Sequence, residues 1–193
     1  MSSTERRERE RAQRHQLIIT AARELAEAEG WDAVTTRRLA ERVEYSQPVL
    51  YSHFKGKDAI VRAVALEGFD DLAAQMRRAR LAEISPKEAL RALGRAYLDF
   101  AANRPALYEA MFIMPTDLPF AGSETPSALR AAFGEIVAVV GPREGVGLHA
   151  EVFWGSLHGI AVLVHGKRMP AELQGDRLDL LVEHFTPEAD RGR

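Results

Sequence analysis

The sequence contains no cysteine and no long apolar run, and both absences narrow what the protein can be. Without thiols it has no disulfide framework, thiolate zinc site, iron–sulfur cluster or cysteine nucleophile. The lack of cysteine also suits a reducing compartment, so we expect a cytoplasmic protein. Residues 1–16 are charged and lack the apolar stretch of a signal peptide. No stretch reaches about 18 consecutive apolar residues, so we expect no membrane span.

Catalytic patterns are also scarce. The sequence has no Gly-x-Ser-x-Gly motif and no Glu-x-x-His pair of the kind that holds a di-iron site. Ser156 and His158 are two residues apart, which directs them to different faces of a helix and excludes a nucleophile–base pair. We therefore expect a protein that is not an enzyme and that needs no metal or cofactor.

The 193 residues are instead rich in alanine and leucine, and apolar residues recur at helical spacing along the whole chain. This pattern predicts an all-α fold. We expect a flexible charged arm over residues 1–10 and a three-helix domain over residues 11–57. A larger helical domain should follow over residues 58–186, with a frayed tail over residues 187–193.

Residues 34–57 predict two short helices after a longer one. Thr35 or Thr36 can cap the first short helix, and a three-residue turn over residues 44–46 follows it. Ser46 can cap the second, whose first turn tolerates Pro48 because the missing N–H would have no helical partner there. Two short helices joined by such a turn indicate a helix-turn-helix motif, which is typical of DNA-binding proteins.

In this motif the first turn of the second helix faces the base edges of the major groove, while neighbouring side chains contact phosphates. Gln47, Pro48 and Val49 occupy that first turn, and glutamine is suited to reading adenine. For Tyr51 and His53 alone, a packing or surface role explains the residue type equally well. The candidate DNA-binding residues are Thr35, Thr36, Arg37, Ser46, Gln47, Pro48, Val49, Tyr51, His53 and Lys57.

Three runs of residues resemble the DNA-binding signature of the tetracycline-repressor (TetR) family. They are Thr35-Thr36-Arg37-Arg38-Leu39-Ala40, the run from Gln47 to Phe54 and Lys55-Gly56-Lys57. The resemblance covers about residues 11–65. It implies an all-α homodimer that pairs a helix-turn-helix domain with a helical domain for ligand binding and dimerisation. It also implies base contacts for Arg37, Gln47 and Pro48, and phosphate contacts for Thr36, Tyr51 and Lys57.

Two residues depart from the TetR pattern. Glu44 stands where many relatives have a glycine early in the turn, so the turn geometry or the local charge can differ. Val49 stands where a hydroxyl residue is common, so a thymine methyl contact can replace a phosphate contact. Both departures bear on the operator sequence.

The arginines of residues 6–14 leave two alternatives for the N-terminal segment, a solvated arm or an arm that reaches a DNA groove.

Residues 152–165 are apolar almost all round a helix, which requires burial on every side. We expect this helix and the final helix to pair with their copies in a second subunit as a four-helix bundle about a two-fold axis. The expected homodimer uses residues 148–167 and 172–185. The run from Trp154 to Gly159 is also similar to a Trp…His-Gly pattern in the C-terminal domain of some TetR relatives.

A small organic effector is the second expected partner. Its site should be mostly apolar with a few polar groups, and the proline-broken loop 113–126 could form its entrance. His158 could orient the effector or pack as a neutral imidazole between helices. The candidate ligand-binding residues are Tyr97, Phe100, Tyr108, Met111, Phe112, Phe133, Trp154 and His158.

The sequence therefore predicts a one-component transcriptional regulator, a repressor that binds a palindromic double-stranded DNA operator as a homodimer. A small hydrophobic ligand should release it, with the long helix from residue 58 transmitting the signal. An alternative is a DNA-binding regulator without a ligand, working as an activator or through a protein partner. A helical enzyme or binding protein that has lost DNA binding is the third class, and the helix-turn-helix residues argue against it.

Overall fold

The structure is a computed structural model that describes residues 3–120 and 122–186. These residues form nine α-helices, two single-turn 3-10 helices and no strand, which confirms the all-α prediction. The helices are α1 (Ser3–Glu29), α2 (Thr36–Arg42), α3 (Gln47–His53), α4 (Lys57–Leu81), α5 (Pro86–Asn103), α6 (Pro105–Phe112), α7 (Ser127–Val140), α8 (Val146–His165) and α9 (Gln174–Phe185). The predicted frayed tail, residues 187–193, lies outside the described residues.

The chain forms two compact units. Among the described residues, the first consists of 3–68 and 104–118, and the second of 69–103, 119–120 and 122–186. The sequence analysis expected a domain boundary after residue 57. The observed division instead falls within α4, after Gly68. Helix α6 also belongs to the first unit, although the sequence suggested that it would join the larger domain.

The first unit is built around α1, which buries Ile18, Ala22 and Leu25. This helix begins at Ser3, whereas the sequence predicted an irregular arm up to residue 10. Arginine and glutamate are good helix formers, and an i,i+4 ion pair of 3.7 Å joins Arg6 to Glu10. The side chains of residues 4–10 are exposed, so the first two turns of α1 are stabilised by interactions within the helix itself.

The second unit packs α5 against α7, α8 and α9. Helix α5 has a strong apolar face that includes Leu90, Leu93 and Tyr97. Gly94 lies on the same helix and allows α9 to approach, because a Cβ atom at this position would come within 2.5 Å of a Leu178 methyl carbon. The glycine therefore leaves room for the Leu178 side chain against α5.

Helix α8 is buried on one side only. Ala150, Phe153 and Leu157 are buried in the second unit, whereas Leu148 is 66% exposed and Val152 is 53% exposed. The expectation that this helix is buried on every side is therefore not met within a single chain. Among the described residues, α8 is also the one helix whose length and composition would allow it to cross a membrane. Core helices of soluble proteins pass the same test, so this is weak evidence for a membrane span.

Candidate nucleic-acid interface

The helix-turn-helix is formed by α2, the turn that follows it and α3. Thr35 caps α2, since its side-chain oxygen accepts the backbone N–H of Arg38 at 3.2 Å. Leu39 and Leu50 are completely buried and hold α2 and α3 to the first unit. Pro48 lies in the first turn of α3, as predicted. Ser46 occupies the N-cap position of α3, but its side chain makes no capping hydrogen bond, in contrast to the prediction.

The turn before α3 keeps a conformation that favours glycine. Glu44 adopts a φ of 56°, which lies in the left-handed region that L-residues rarely occupy. The backbone N–H of Tyr45 nevertheless donates to the carbonyl of Ala40 at 2.9 Å. The departure at Glu44 therefore leaves the turn geometry intact and adds local backbone strain.

The candidate residues at the start of α2 and along α3 present an accessible surface. Thr35, Arg37, Ser46, Gln47 and Pro48 are exposed.

Four further candidates lie beside them. Tyr51 is 50% exposed, and its hydroxyl lies 3.4 Å from the hydroxyl of Thr36. The structure therefore brings together two hydroxyl groups from successive helices. Val49 and His53 are half-buried on α3.

Lys57 has a structural contact that the sequence did not indicate. Its ammonium donates to the backbone carbonyl of Trp31, which ties the start of α4 to the segment after α1. Trp31 itself is buried. A phosphate contact by Lys57 would therefore use its remaining donor capacity, since an ammonium group has three N–H donors.

Arg38 and Arg42 fix α2 on α1. Arg38 makes two hydrogen bonds of 2.8 Å to the carboxylate of Glu29, and Arg42 donates to Glu24 at 3.0 Å. The hydrogen bond to Arg38 lowers the pKa of Glu29 and raises the pKa of Arg38. These ion pairs therefore link α2 to α1 at the surface. Arg37, in contrast, pairs with Glu41 of its own helix at 3.0 Å, and both side chains are largely exposed.

His15 was missed by the sequence analysis, because nothing in the spacing of α1 marks it. Its ring stacks on Phe54 at a centroid distance of 4.3 Å and lies 6.1 Å from the ring of His53. Burial lowers the pKa of His53, and the positive charges of His15, Arg11 and Arg14 lower it further. These surroundings therefore disfavour the charged imidazolium form of His53.

The predicted ligand-binding residues are divided between the two units. Tyr97, Phe100, Phe133, Trp154 and His158 belong to the second unit, whereas Tyr108, Met111 and Phe112 belong to the first.

Within the second unit, Trp154 connects three helices. Its indole N–H donates to the hydroxyl of Tyr97 at 3.1 Å, and Phe133 meets its ring edge-on at 6.3 Å. His158 lies one turn further along α8, and burial lowers its pKa. Tyr97 is buried and the other members of this cluster are half-buried, so the cluster supports helix packing and provides polar groups next to apolar ones.

Within the first unit, the three remaining candidates lie on α6. The rings of Tyr108 and Phe112 are 4.7 Å apart. Met111 covers Gly68 of α4, where a Cβ atom would come within 2.6 Å of the methionine sulfur. Met111 is buried in the first unit.

A helix-turn-helix motif on an all-α framework is typical of DNA-binding regulators. Comparison with known proteins supports the same class of protein. Residues 18–64 match the family model of bacterial regulatory proteins of the tetR family, and residues 90–185 match a tetracyclin repressor-like C-terminal domain. The chain belongs to the TetR family of transcriptional regulators. Among its relatives, those with a named role are transcriptional regulators and not enzymes.

Individual relatives show how far the similarity extends. An uncharacterised helix-turn-helix regulator of Mycobacterium tuberculosis is 28% identical over 76% of this chain and 67% of its own length. The transcriptional activator FasR of Mycolicibacterium smegmatis is 30% identical over 53% of this chain and 47% of its own. The chain thus spans about two thirds of the first relative and about half of the second.

A solved structure of similar fold comes from Rhodococcus sp. RHA1, a protein of unknown function. It is 25% identical to this chain, covers 89% of it and 92% of its own length, and superposes with a TM-score of 0.72.

Proposed function

We propose that this regulator is a one-component repressor that binds a palindromic operator as a homodimer and leaves it when a small hydrophobic effector binds. The observation that carries the proposal is the first turn of α3, where Gln47 and Pro48 are exposed above a fully buried Leu50. This arrangement presents base-reading side chains on a rigid support.

The proposed DNA contacts fall into two groups. Arg37, Gln47, Pro48 and Val49 contact base edges, with arginine suited to guanine, glutamine to adenine and valine to a thymine methyl group. Arg37 is free to do so because an exposed ion pair such as the one with Glu41 contributes little stability. The phosphate contacts come from Thr35, Thr36, Ser46, Tyr51, His53 and Lys57.

The proposed dimer uses the exposed apolar side of α8 and α9. Leu148, Val152, Val162 and Leu163 are exposed on α8, and Leu180 is 68% exposed on α9. Apolar groups that recur on two neighbouring helices favour association with a second copy of the same surface. Two recognition helices would then reach successive major grooves, about 34–36 Å apart.

The proposed effector site uses the aromatic cluster of Tyr97, Phe133 and Trp154, with His158 as a polar group. Effector binding would have to favour the arrangement that does not fit DNA, since a ligand shifts an equilibrium only by its differential affinity. The coupling route is α4, which belongs to both units, assisted by α6, which is held by α1. A protein that reads chromosomal DNA works in the cytoplasm, which agrees with the cysteine-free composition.

The test is selection of bound duplexes from a random DNA pool at ~150 mM salt, which suppresses nonspecific phosphate binding. The proposal expects one recurring half-site in a palindrome. Gln47→Ala should then weaken binding to that site by ~1–3 kcal/mol and leave binding to random DNA unchanged. Gln75→Ala, at a half-buried glutamine of α4 outside the helix-turn-helix, is the matched control. Equal losses on both kinds of DNA would contradict base reading by Gln47.

A second candidate is activation, favoured by the similarity to the activator FasR. Transcription in vitro from a promoter that carries the selected site distinguishes the two. Repression requires less transcript in the presence of the protein, and activation requires more.

A further inference from the structure

A cavity of about 250 Å³ lies in the second unit, where the start of α5, the connection between α7 and α8 and the end of α9 meet. Leu90, Val139, Val140 and Phe185 give it an apolar lining. For scale, an apolar protein cavity of about 150 Å³ holds benzene. The space is therefore sufficient for a substituted aromatic ring.

Two cationic side chains, Lys87 and Arg143, line the same cavity. One Arg143 nitrogen, Nη2, donates to the carbonyls of Val140 at 2.7 Å and Phe185 at 3.1 Å, which joins the ends of α7 and α9. Its Nε–H is buried and has no acceptor among the described residues. A buried guanidinium N–H without an acceptor is costly, so an acceptor at this position would be stabilising.

Neither cation is neutralised within the part of the chain that the structure describes. The hydrogen bonds of Arg143 go to uncharged carbonyls, and no carboxylate lies within ion-pair distance of Lys87. Glu88, the residue after Lys87, is paired with Arg91. Lys87 is also in the first turn of α5, where the positive end of the helix adds to the local potential.

We propose that this cavity binds a small organic anion with one carboxylate and one compact apolar group, of the size of benzoate. The carboxylate accepts from the Nε–H of Arg143 and from the ammonium of Lys87, and the apolar group packs on Leu90 and Phe185. The site is distinct from the aromatic cluster around Trp154, because Leu90 precedes Tyr97 on α5 by about two helical turns. It goes beyond the proposed function and does not depend on DNA binding.

The test is titration of the full-length protein with sodium benzoate at constant ionic strength, followed by heteronuclear NMR and by calorimetry. We expect saturable shifts at the amides of Leu90, Val139 and Gly141. Benzyl alcohol, which keeps the ring and lacks the charge, should bind at least about tenfold more weakly. Sulfate, which has charge and no ring, should leave these amides unshifted at the same concentration.

Lys87→Met removes the charge and keeps the side-chain length, so it should weaken benzoate binding about tenfold. Lys167→Met, which alters an exposed lysine outside the cavity lining, should leave benzoate binding unchanged. Equal affinity for benzoate in the wild type and Lys87→Met would overturn the proposal, as would shifts centred on Trp154. The NMR map of the wild-type protein decides between these outcomes even if a variant fails to fold.

Discussion

The carboxylate of Glu27 accepts the backbone N–H of Leu107 at 2.9 Å, and its other oxygen accepts the N–H of Ala106 at 3.2 Å. Arg104, at the N-cap of α6, makes no side-chain capping bond, so a residue of α1 supplies the cap from a distance in the sequence. The indole N–H of Trp31 also donates to the Ala106 carbonyl at 2.7 Å. Helix α6 is thus fixed to the helix that supports the DNA-binding motif.

Glu27→Ala should lower the free energy of unfolding by about 1–2 kcal/mol, because it removes the partner of two backbone N–H groups at a helix start. Chemical denaturation followed by circular dichroism measures this change. The matched control is Glu10→Ala on the same helix, which breaks only an exposed i,i+4 pair and should cost about 0.5 kcal/mol or less. Equal costs for the two variants would show that the α6 cap contributes nothing to stability.

Glu44→Gly should stabilise the protein by about 0.5–1 kcal/mol. The left-handed conformation at φ 56° is strained for glutamate and relaxed for glycine, although glycine gains conformational entropy in the unfolded chain. The same denaturation experiment measures the gain.

Glu41→Gly provides the contrast for Glu44→Gly. It makes the same change within helix α2, where glycine should cost about 1 kcal/mol. Destabilisation by both variants would mean that the strain at Glu44 is offset by contacts of its side chain.

Local sequence signals predicted most of the fold. Helical spacing, Thr35 and Pro48 placed α2 and α3 within residues 34–57, because these signals act over one or two helical turns. The cap from Glu27 and the hydrogen bond from Lys57 to Trp31 join residues far apart in sequence, so the spacing of residues along the chain could not predict them. The assignment of α6 to the first unit was missed for the same reason.

The ligand-site prediction was limited in a similar way. Aromatic residues and methionines mark both cores and cavities, so Met111 could not be recognised from sequence as the residue that covers Gly68. The cavity near Arg143 was not predicted from the sequence, because its lining comes from three separate segments and contains few aromatic residues. The apolar composition of α8 predicted burial on every side, and the side that is exposed in one chain is the side assigned to the proposed dimer.

Leu180→Glu should convert the dimer to a monomer, because it places a charge in the centre of the proposed apolar interface. Sedimentation velocity measures the change in mass. Ile84→Glu is the control, since Ile84 is fully exposed between α4 and α5 and lies outside the proposed interface. A dimer that survives Leu180→Glu would place the interface elsewhere.

Tyr97→Phe should lower the stability of the fold without changing the oligomeric state. It removes the oxygen that accepts the Trp154 indole N–H, so we expect a loss of about 1–2 kcal/mol in the free energy of unfolding with an unchanged monomer–dimer equilibrium. Chemical denaturation and sedimentation of the same samples test both parts. Weaker dimerisation in this variant would indicate that the aromatic cluster supports the subunit interface and is not confined to one subunit.

Acidification should destabilise the protein through His53. Its pKa in the fold is lowered from the ordinary value of 6.5, first by burial and then by the positive charges of His15, Arg11 and Arg14. Below about pH 6.5 the unfolded chain therefore binds a proton that the native protein does not yet bind. The free energy of unfolding falls as the pH decreases through this range and levels off below the folded-state pKa.

His53→Gln removes this contribution, so its free energy of unfolding should vary less than that of the wild type between pH 7 and pH 5. His149→Gln, at an exposed histidine of α8, is the control and should retain the wild-type slope. An NMR titration of the His53 ring gives an independent measure, because Arg14→Gln should raise the pKa of His53 by removing a nearby positive charge. An unchanged slope in His53→Gln together with an unchanged pKa in Arg14→Gln would show that the charges on α1 do not act on the recognition helix.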